Sequence, residues 1–282
     1  MNGQLEHLIR VALEEDLGRG DVTTISCIPA GTQGRGIVCV QAEGILSGLD
    51  VVSPIVQCGT AIYGESCVVQ TEPGLENGSR LTFGQAVLAL EGSLRVVLSV
   101  ERTLLNFLQH LSGVASEVRR YVQAIAGTGA KIVDTRKTTP GLRHLEKAAV
   151  RHGGGVNHRF GLDDGVLIKD NHIAACGGIT AAVEAVRRQT HHLLPIEVEC
   201  ETLAQAEEAV ATGADALLLD NMSIQTLREA VARFKGKALI EASGGITLAT
   251  VREVAETGVD LISVGAVTHS APALPMHLEI VR

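Results

Sequence analysis

Apolar and polar positions change their period along this chain, and each change marks a different kind of element. Residues 4–16, QLEHLIRVALEED, put Leu5, Leu8, Ile9, Ala12 and Leu13 on one helical stripe, and Gly18 supplies the stop. Between Gly31 and Glu101 the pattern shifts to short β-branched runs parted by glycines, GIVCV, SCVVQ, AVLAL and RVVLSV, which predicts a small sheet domain. From Val100 to Ala126 a helical period returns through Leu104, Phe107, Leu108 and Leu111, with Ser112 and Gly113 as the place for a kink.

After that helix the chain becomes rhythmic. Apolar strands recur as KIVDT, GVLIKD, IEVECE, DALLLDN, ALIEASG and DLISVGA, and helical segments fill most intervals. Thr202 with Gln205 forms a capping box, Ser223 can cap the next helix, and Gly213 and Gly258 close theirs. The segments GGITAAVEAVRR and GGITLATVREVAE read as one repeated loop-and-helix unit. Six βα units with right-handed crossovers close most naturally into an α/β barrel, complete or incomplete.

Composition narrows the function classes. A chain of 282 residues, 45% apolar, can bury a barrel-sized core. Its start, MNGQLEHLIR, lacks an apolar run after a basic end, and no stretch reaches a membrane span, so neither secretion nor insertion is expected. The cysteines (27, 39, 58, 67, 176 and 200) show no C-x-x-C pair, which argues against a disulfide framework or a structural zinc site and fits a reducing cytoplasm. A net charge of −8 and few aromatic residues leave no surface suited to nucleic acid. Against that acidity, residues 135–159 carry Arg136, Lys137, Arg143, Lys147, Arg151 and Arg159 with Glu146 the single acid, which predicts a site for a small anion.

A barrel of this kind works at the C-terminal ends of its strands. In chain order these ends bear Arg136 and Lys137; Lys169, Asp170 and Asn171; Glu199 and Glu201; Asp220 and Asn221; Ser243, Gly244 and Gly245; and Gly265. In IEVECE the alternation puts Glu197, Glu199 and Glu201 on the face opposite Val198 and Cys200. The apolar face must meet helices, so the acids point inward and need cations or a divalent ion. Glycines at ASGGIT and VGA suit phosphate, through bare backbone N–H groups and helix dipoles, although tight turns also explain such pairs. GGGV at Gly153 reads as a flexible turn, and His158 and Arg159 after it gain interest only from the nearby cations. Lys169 permits one alternative, an imine with a carbonyl substrate in an aldolase-type lyase. The number of cations favours a multiply anionic ligand instead.

Taken together, ERTLLNFLQHLSG, KIVDTRKTTPGLRHLEK, GGGVNHRFGLDDGVLIKDNHI, ALLLDNMS, EASGGIT and VDLISVGAVTHSAPALP resemble, in order and over nearly the whole chain, the quinolinate phosphoribosyltransferase family. The resemblance implies an incomplete α/β barrel with a smaller N-terminal α/β sandwich domain. The corresponding boundaries are residues 1–112, 113–268 and a tail, 269–282, returning to the N-terminal domain. It implies a carboxylating nicotinate-nucleotide pyrophosphorylase of NAD synthesis, acting on quinolinate and phosphoribosyl pyrophosphate with Mg2+, in homodimers whose barrel mouths face the partner's N-terminal domain. Position by position, Arg102 from the neighbouring subunit, Thr135, Arg136, His158, Arg159 and Lys169 would hold quinolinate. Lys137, Glu199 and Asp220 would surround the ribose, pyrophosphate and magnesium. Ser243, Gly244, Gly245, Val264, Gly265 and Ala266 would hold phosphate. Asp163 adds an acid where the family often has a neutral residue. A molybdenum-transport-associated relative of the same fold is similar in its TRKT-like and glycine motifs, and the intact HR and LIKDNH segments favour the quinolinate enzyme.

Overall fold

The computed structural model describes residues 3–281, which divide into two compact units: 3–117, 151–153 and 271–281 form the first, and 118–150 with 154–270 the second. In the first unit, helices α1 (Gly3–Leu17) and α2 (Val22–Cys27) precede β1 (Gln33–Val40), β2 (Gly44–Ile45), α3 (Leu49–Tyr63), β3 (Cys67–Thr71), β4 (Arg80–Leu81) and β5 (Ala86–Ser93). Helix α4 (Leu94–Ala124) runs on from this sheet. The second unit alternates β6 (Lys131–Val133), α5 (Arg143–Gly153), β7 (Val166–Ile168), α6 (Asp170–Cys176), α7 (Ile179–Gln189), β8 (Ile196–Cys200), α8 (Leu203–Ala211), β9 (Ala216–Asp220), α9 (Ile224–Phe234), β10 (Leu239–Ser243), α10 (Val251–Ala255), β11 (Leu261–Ser263) and α11 (Ala266–His269). The final strand, β12 (Met276–Val281), belongs to the first unit.

The first unit's main sheet is antiparallel in the order β12-β1-β5-β3, with β2 and β4 as a separate ribbon. Its hydrophobic layer corrects the sequence reading at two points. RVVLSV is not a strand: it opens α4, where Val96, Val97 and Val100 are fully buried. Gly36 on β1 leaves room for Val97, and Gly59 on α3 leaves room for Val96 and Val100. Packing on such bare backbone outweighs the β preference of valine. The run LDVVSPIVQCGTAIY likewise forms α3 inside the segment read as sheet, stopping at Gly64 in the left-handed region. Helix α4 passes through Ser112 and Gly113 without a break, and Gly113 serves contact there: its Cα faces the Pro272 carbonyl.

In the second unit all five strand pairings are parallel, in the order β6-β11-β10-β9-β8-β7, so β6 and β7 stand unpaired with each other and the barrel is open at that seam. The expected strands are all present. So are the Thr202–Gln205 capping box and the Ser223 cap. The two GGIT segments differ, however. Gly178 leads directly into α7, whereas the second copy makes a turn closed by Thr247 and Thr250 before α10 begins at Val251. The helix dipole invoked for Gly244 and Gly245 is thus absent from that loop.

Gly113 generates a test of the packing in the first unit. A Cβ there would overlap the Pro272 carbonyl and Ala273, so Gly113→Ala lowers the urea midpoint of unfolding, at a cost of about 1–3 kcal/mol.

Candidate active site

The ends of six parallel strands meet at a cavity of about 300 Å³, and the strand pattern decides which side chains enter it. Val198 and Cys200 of β8 are fully buried on the helix side, so Glu197 and Glu199 face inward, and Glu201 leaves the strand into solvent. The cavity is lined by Thr135, Arg136, Lys137, His158, Arg159, Lys169, Glu199, Asp220 and Ser243, together with Leu167, Leu218, Glu241 and Ser263. Nine residues chosen from the sequence therefore converge. Gly265 packs against the Lys137 side chain, where an added Cβ would stand 3.1 Å from Cδ, and Thr268 donates to the Lys137 carbonyl at 2.8 Å. Val264 is buried at the end of β11, and Ala266 starts the short α11 after Gly265. Arg102 lies elsewhere, exposed on α4 in the first unit.

Two loops are shaped by backbone geometry. Asn221, after β9, is the one non-glycine residue with positive φ (53°) among the described residues. Its N–H donates to the Ser243 carbonyl at 2.9 Å and its Nδ2 to Asp220 Oδ2 at 2.6 Å. Gly244 (φ 96°) presses on Asn221 so closely that no side chain fits there. These contacts fix Asp220 at the rim and explain the glycine by packing as well as by any anion. The 160–165 loop is organised by Asp164, which accepts from the N–H groups of Phe160 (2.5 Å) and Gly161 (2.9 Å). Burial opposes ionisation of Asp164, yet these backbone donors outweigh it and hold its carboxyl below the usual range. Asp163 is exposed beside Gly161.

The cationic stretch divides by task. Lys147 is buried and paired with the fully buried Asp134, and it also donates to the His158 carbonyl at 3.0 Å. Asp134 further accepts from Asn157 Nδ2 (2.5 Å) and the His158 N–H (2.9 Å), so this pair ties the 157–159 loop to the end of β6. Arg143 is engaged by Thr138 Oγ1 at 2.9 Å and the Phe160 carbonyl at 3.2 Å, and Arg151 belongs to the first unit. Only Arg136, Lys137 and Arg159 of the six reach the cavity. Arg159 donates to the Gly165 carbonyl at 2.9 Å; burial, then the like charge of Arg136, lowers its pKa from the ordinary arginine value. Across the cavity Lys169 Nζ pairs with Glu199 Oε2 at 2.8 Å.

Beneath this rim sits a group of ionisable side chains. His158 Nε2 lies 2.9 Å from Glu197 Oε2 and 3.9 Å from Glu241 Oε1. The hydrogen bond to Glu197 draws the imidazole pKa upward. Against this, Nδ1 accepts the Arg159 N–H at 2.7 Å and so carries no proton in this geometry. The contact with a fixed backbone donor sets the resting tautomer, Nε2–H donating to Glu197. Both ring nitrogens are thereby engaged within the protein, so the imidazole does not present a free nitrogen to quinolinate as it stands. Glu241 is 1% exposed, and its Oε1 has no hydrogen-bond partner. Burial first, and the neighbouring Glu197 second, push its carboxyl up to about 7. Glu241, Ser263 and the Asp134–Lys147 pair were not among the site residues chosen from sequence. Glu241 was legible: in LIEAS it alternates with Ile240 and Ala242, as the inward acids of β8 alternate with Val198 and Cys200.

Comparison with known proteins agrees with this architecture. The family description "Quinolinate phosphoribosyl transferase, N-terminal domain" matches residues 21–112 and the corresponding C-terminal domain matches 114–279. The chain is 43% identical over 276 residues to the nicotinate-nucleotide pyrophosphorylase [carboxylating] of Mycobacterium leprae, covering 96% of this chain and 95% of that one. A probable enzyme of the same name from Bacillus subtilis is 42% identical over 277 residues, covering 98% and 93%. The crystal structure of NadC from Streptococcus pyogenes superposes with a TM-score of 0.93 at 39% identity, covering 100% of this chain and 99% of that one.

Glu241 also makes stability depend on pH. Its folded pKa, about 7, lies above the ordinary 4.5, so the folded state holds a proton that the unfolded chain releases first. Its contribution is intact below pH 4.5 and is lost as pH rises through 7. Glu241→Gln removes this loss, so thermal unfolding scans should show the variant gaining melting temperature, relative to the parent, between pH 5 and pH 8.

Proposed function

Since the chain belongs to the quinolinate phosphoribosyl transferase family in both of its domains, we infer that it transfers the phosphoribosyl group of phosphoribosyl pyrophosphate to quinolinate with decarboxylation. The products are nicotinate mononucleotide, pyrophosphate and carbon dioxide, and the enzyme is a phosphoribosyl-type glycosyltransferase of NAD biosynthesis. The observation that carries this reading is one cavity bringing Arg136, Arg159 and Lys169 together with Lys137, Glu199 and Asp220. A diacid and a diphosphate ester need many positive charges, and an electron-poor sugar carbon needs negative ones.

The chemistry follows from these placements. Arg136 and Arg159 can take carboxylates in two-point hydrogen bonds, and Lys169 exchanges Glu199 for substrate as a third cation. Departure of pyrophosphate leaves positive charge on the anomeric carbon and ring oxygen, which Glu199, released from Lys169, and Asp220 are positioned to offset. Lys137, steadied by Gly265 and Thr268, serves the departing phosphates. Gly244 and Gly245 in one turn, and Gly265 and Ala266 in the other, offer backbone N–H groups to phosphate, whereas the Val264 N–H is taken by the Val133 carbonyl at 2.9 Å. His158 orients Arg159 and Glu197 more than it grips the diacid.

Magnesium fits this donor set. Glu199 and Asp220 supply hard oxygen atoms suited to it, and the sole cluster of three potential metal donors among the described residues lies deeper, at His158, Glu197 and Glu241. Glu199 and Asp220 would face the ion at the rim, and it would supply positive charge to offset that of the leaving pyrophosphate. Arg102 is assigned to the mouth of a partner subunit in a homodimer, a reading supported by the family resemblance and by its exposed place on α4. Free cysteines support a reducing, cytoplasmic setting, and no helix among the described residues is long and apolar enough to cross a membrane.

Purified protein with quinolinate, phosphoribosyl pyrophosphate and Mg2+ should form nicotinate mononucleotide and carbon dioxide; no turnover would reject the reading. Nicotinate, lacking the second carboxylate, should be poorer by about 100-fold or more in kcat/KM, because cations are left unpaired. Mixing inactive Arg102→Ala with inactive Lys137→Ala protein, once subunit exchange is verified by mass, should restore part of the activity. Folded mixed dimers without activity would remove Arg102 from a shared site.

A further inference from the structure

The reaction consumes a proton that none of the rim residues named above supplies. When the ring carbon beside the nitrogen loses its carboxylate, the C–C bonding pair stays on that carbon, and a C–H bond must form there. Guanidinium groups do not give up their protons, and in the reading above the ammonium groups of Lys169 and Lys137 are engaged as cations, by the diacid and by the departing phosphates. Beneath the rim stands Glu241, whose Oε1 is buried, points to no protein acceptor, and lines the same cavity.

We propose that the Glu241 carboxyl is the internal acid that protonates the decarboxylated ring carbon. The step balances within the site: carbon dioxide departs, its former bonding pair takes the proton from Glu241, and Glu241 is left as a carboxylate. This rests on the transfer and decarboxylation reading above and adds to it the source of the hydrogen.

Two features of the structure support the assignment. The first is charge. Glu197 of β8, itself receiving the His158 Nε2–H, is the negative neighbour that keeps a proton on Glu241. Asp134, just after β6, acts in the same direction from farther away, a positive charge on His158 would oppose it, and Ser263 of β11 donates a hydrogen bond that also opposes it. The strand neighbours in register, Leu218 of β9 and Leu261 of β11, carry no charge. Burial and Glu197 prevail, so the neutral acid is present near pH 7. The second is access. A cavity of about 260 Å³ opens among the strand starts, at Val166, Pro195, Ala216, Leu239 and Leu261, and Glu241 lines this one too. The carboxyl thus stands between the substrate side and a separate opening through which a proton can return from solvent after each turnover.

The test separates the two chemical steps. In single turnovers with phosphoribosyl pyrophosphate, Mg2+ and quinolinate labelled in the carboxylate that departs, pyrophosphate and carbon dioxide are followed in parallel. For Glu241→Gln, which keeps the shape and loses the acid, carbon dioxide release should slow by about 100-fold, the scale of general acid catalysis, while pyrophosphate release stays within a few-fold of the parent. In the parent, carbon dioxide release should decline as pH rises through about 7, and the variant should lack that decline. Equal slowing of both products, or unchanged carbon dioxide release, overturns the proposal and leaves the transfer reading intact. Absence of both products from the parent overturns the transfer reading itself. If Glu241→Gln does not fold, the parent's pH profile decides: a flat profile from pH 6 to 8.5 rejects Glu241 as the donor.

Discussion

A parallel strand walled by helices has no solvent face, and that constraint governs the second unit. Along β8 and β10, alternate residues must enter either the helix layer or the space inside the sheet. Val198, Cys200, Ile240 and Ala242 take the first; Glu197, Glu199 and Glu241 take the second. Three carboxyl groups in a confined interior cannot all be left bare. One is met by Lys169, one by His158, and one retains a proton. The polarity of the site is therefore a direct result of strand pleat, and the placement of cations follows from the need to answer it.

The same constraint separates cations that build from cations that bind. Asp134 is sealed under the 157–159 loop, and Lys147 answers it there at the cost of being available to nothing else. In a low-dielectric interior such a pair contributes little net stability, yet losing one partner costs about 3–5 kcal/mol. Its value lies in location: it fastens the loop carrying His158 and Arg159 to the strand end carrying Arg136 and Lys137. A rim of charged side chains keeps its spacing because a buried charge pair holds the backbone under it.

How much of this was visible in the sequence depended on whether a residue's partner was local. The strands of the second unit could be read because each is a short apolar run with its own bounds, and the Thr202–Gln205 box because both partners sit within one turn. RVVLSV and the α3 run misled because their helical state is decided by contact with Gly36, Gly59 and each other, information spread over distant positions. The cationic stretch was visible as a whole, but not its division, since Lys147 is withdrawn by Asp134 across a fold that charge counting does not see. Glu241 follows the same alternation as β8, but a single acid in ALIEASG defines no face by itself, whereas three in IEVECE do.

The pairing of β1 with β12, from Arg35 with Val281 to Val40 with Met276, has a consequence for how the molecule is made. During synthesis β1 emerges before the second unit, and its neighbour on one side emerges only after that unit. The strands of the second unit lie entirely between these two and can pair with one another as they appear. A nascent chain must therefore carry an unfinished sheet edge, the kind of surface that recruits stray strands, for as long as the second unit is being translated. Interruption of translation before residue 276 would release a polypeptide with its second unit's strands complete and that edge still open, so quality control should recognise the shortened product by its first unit.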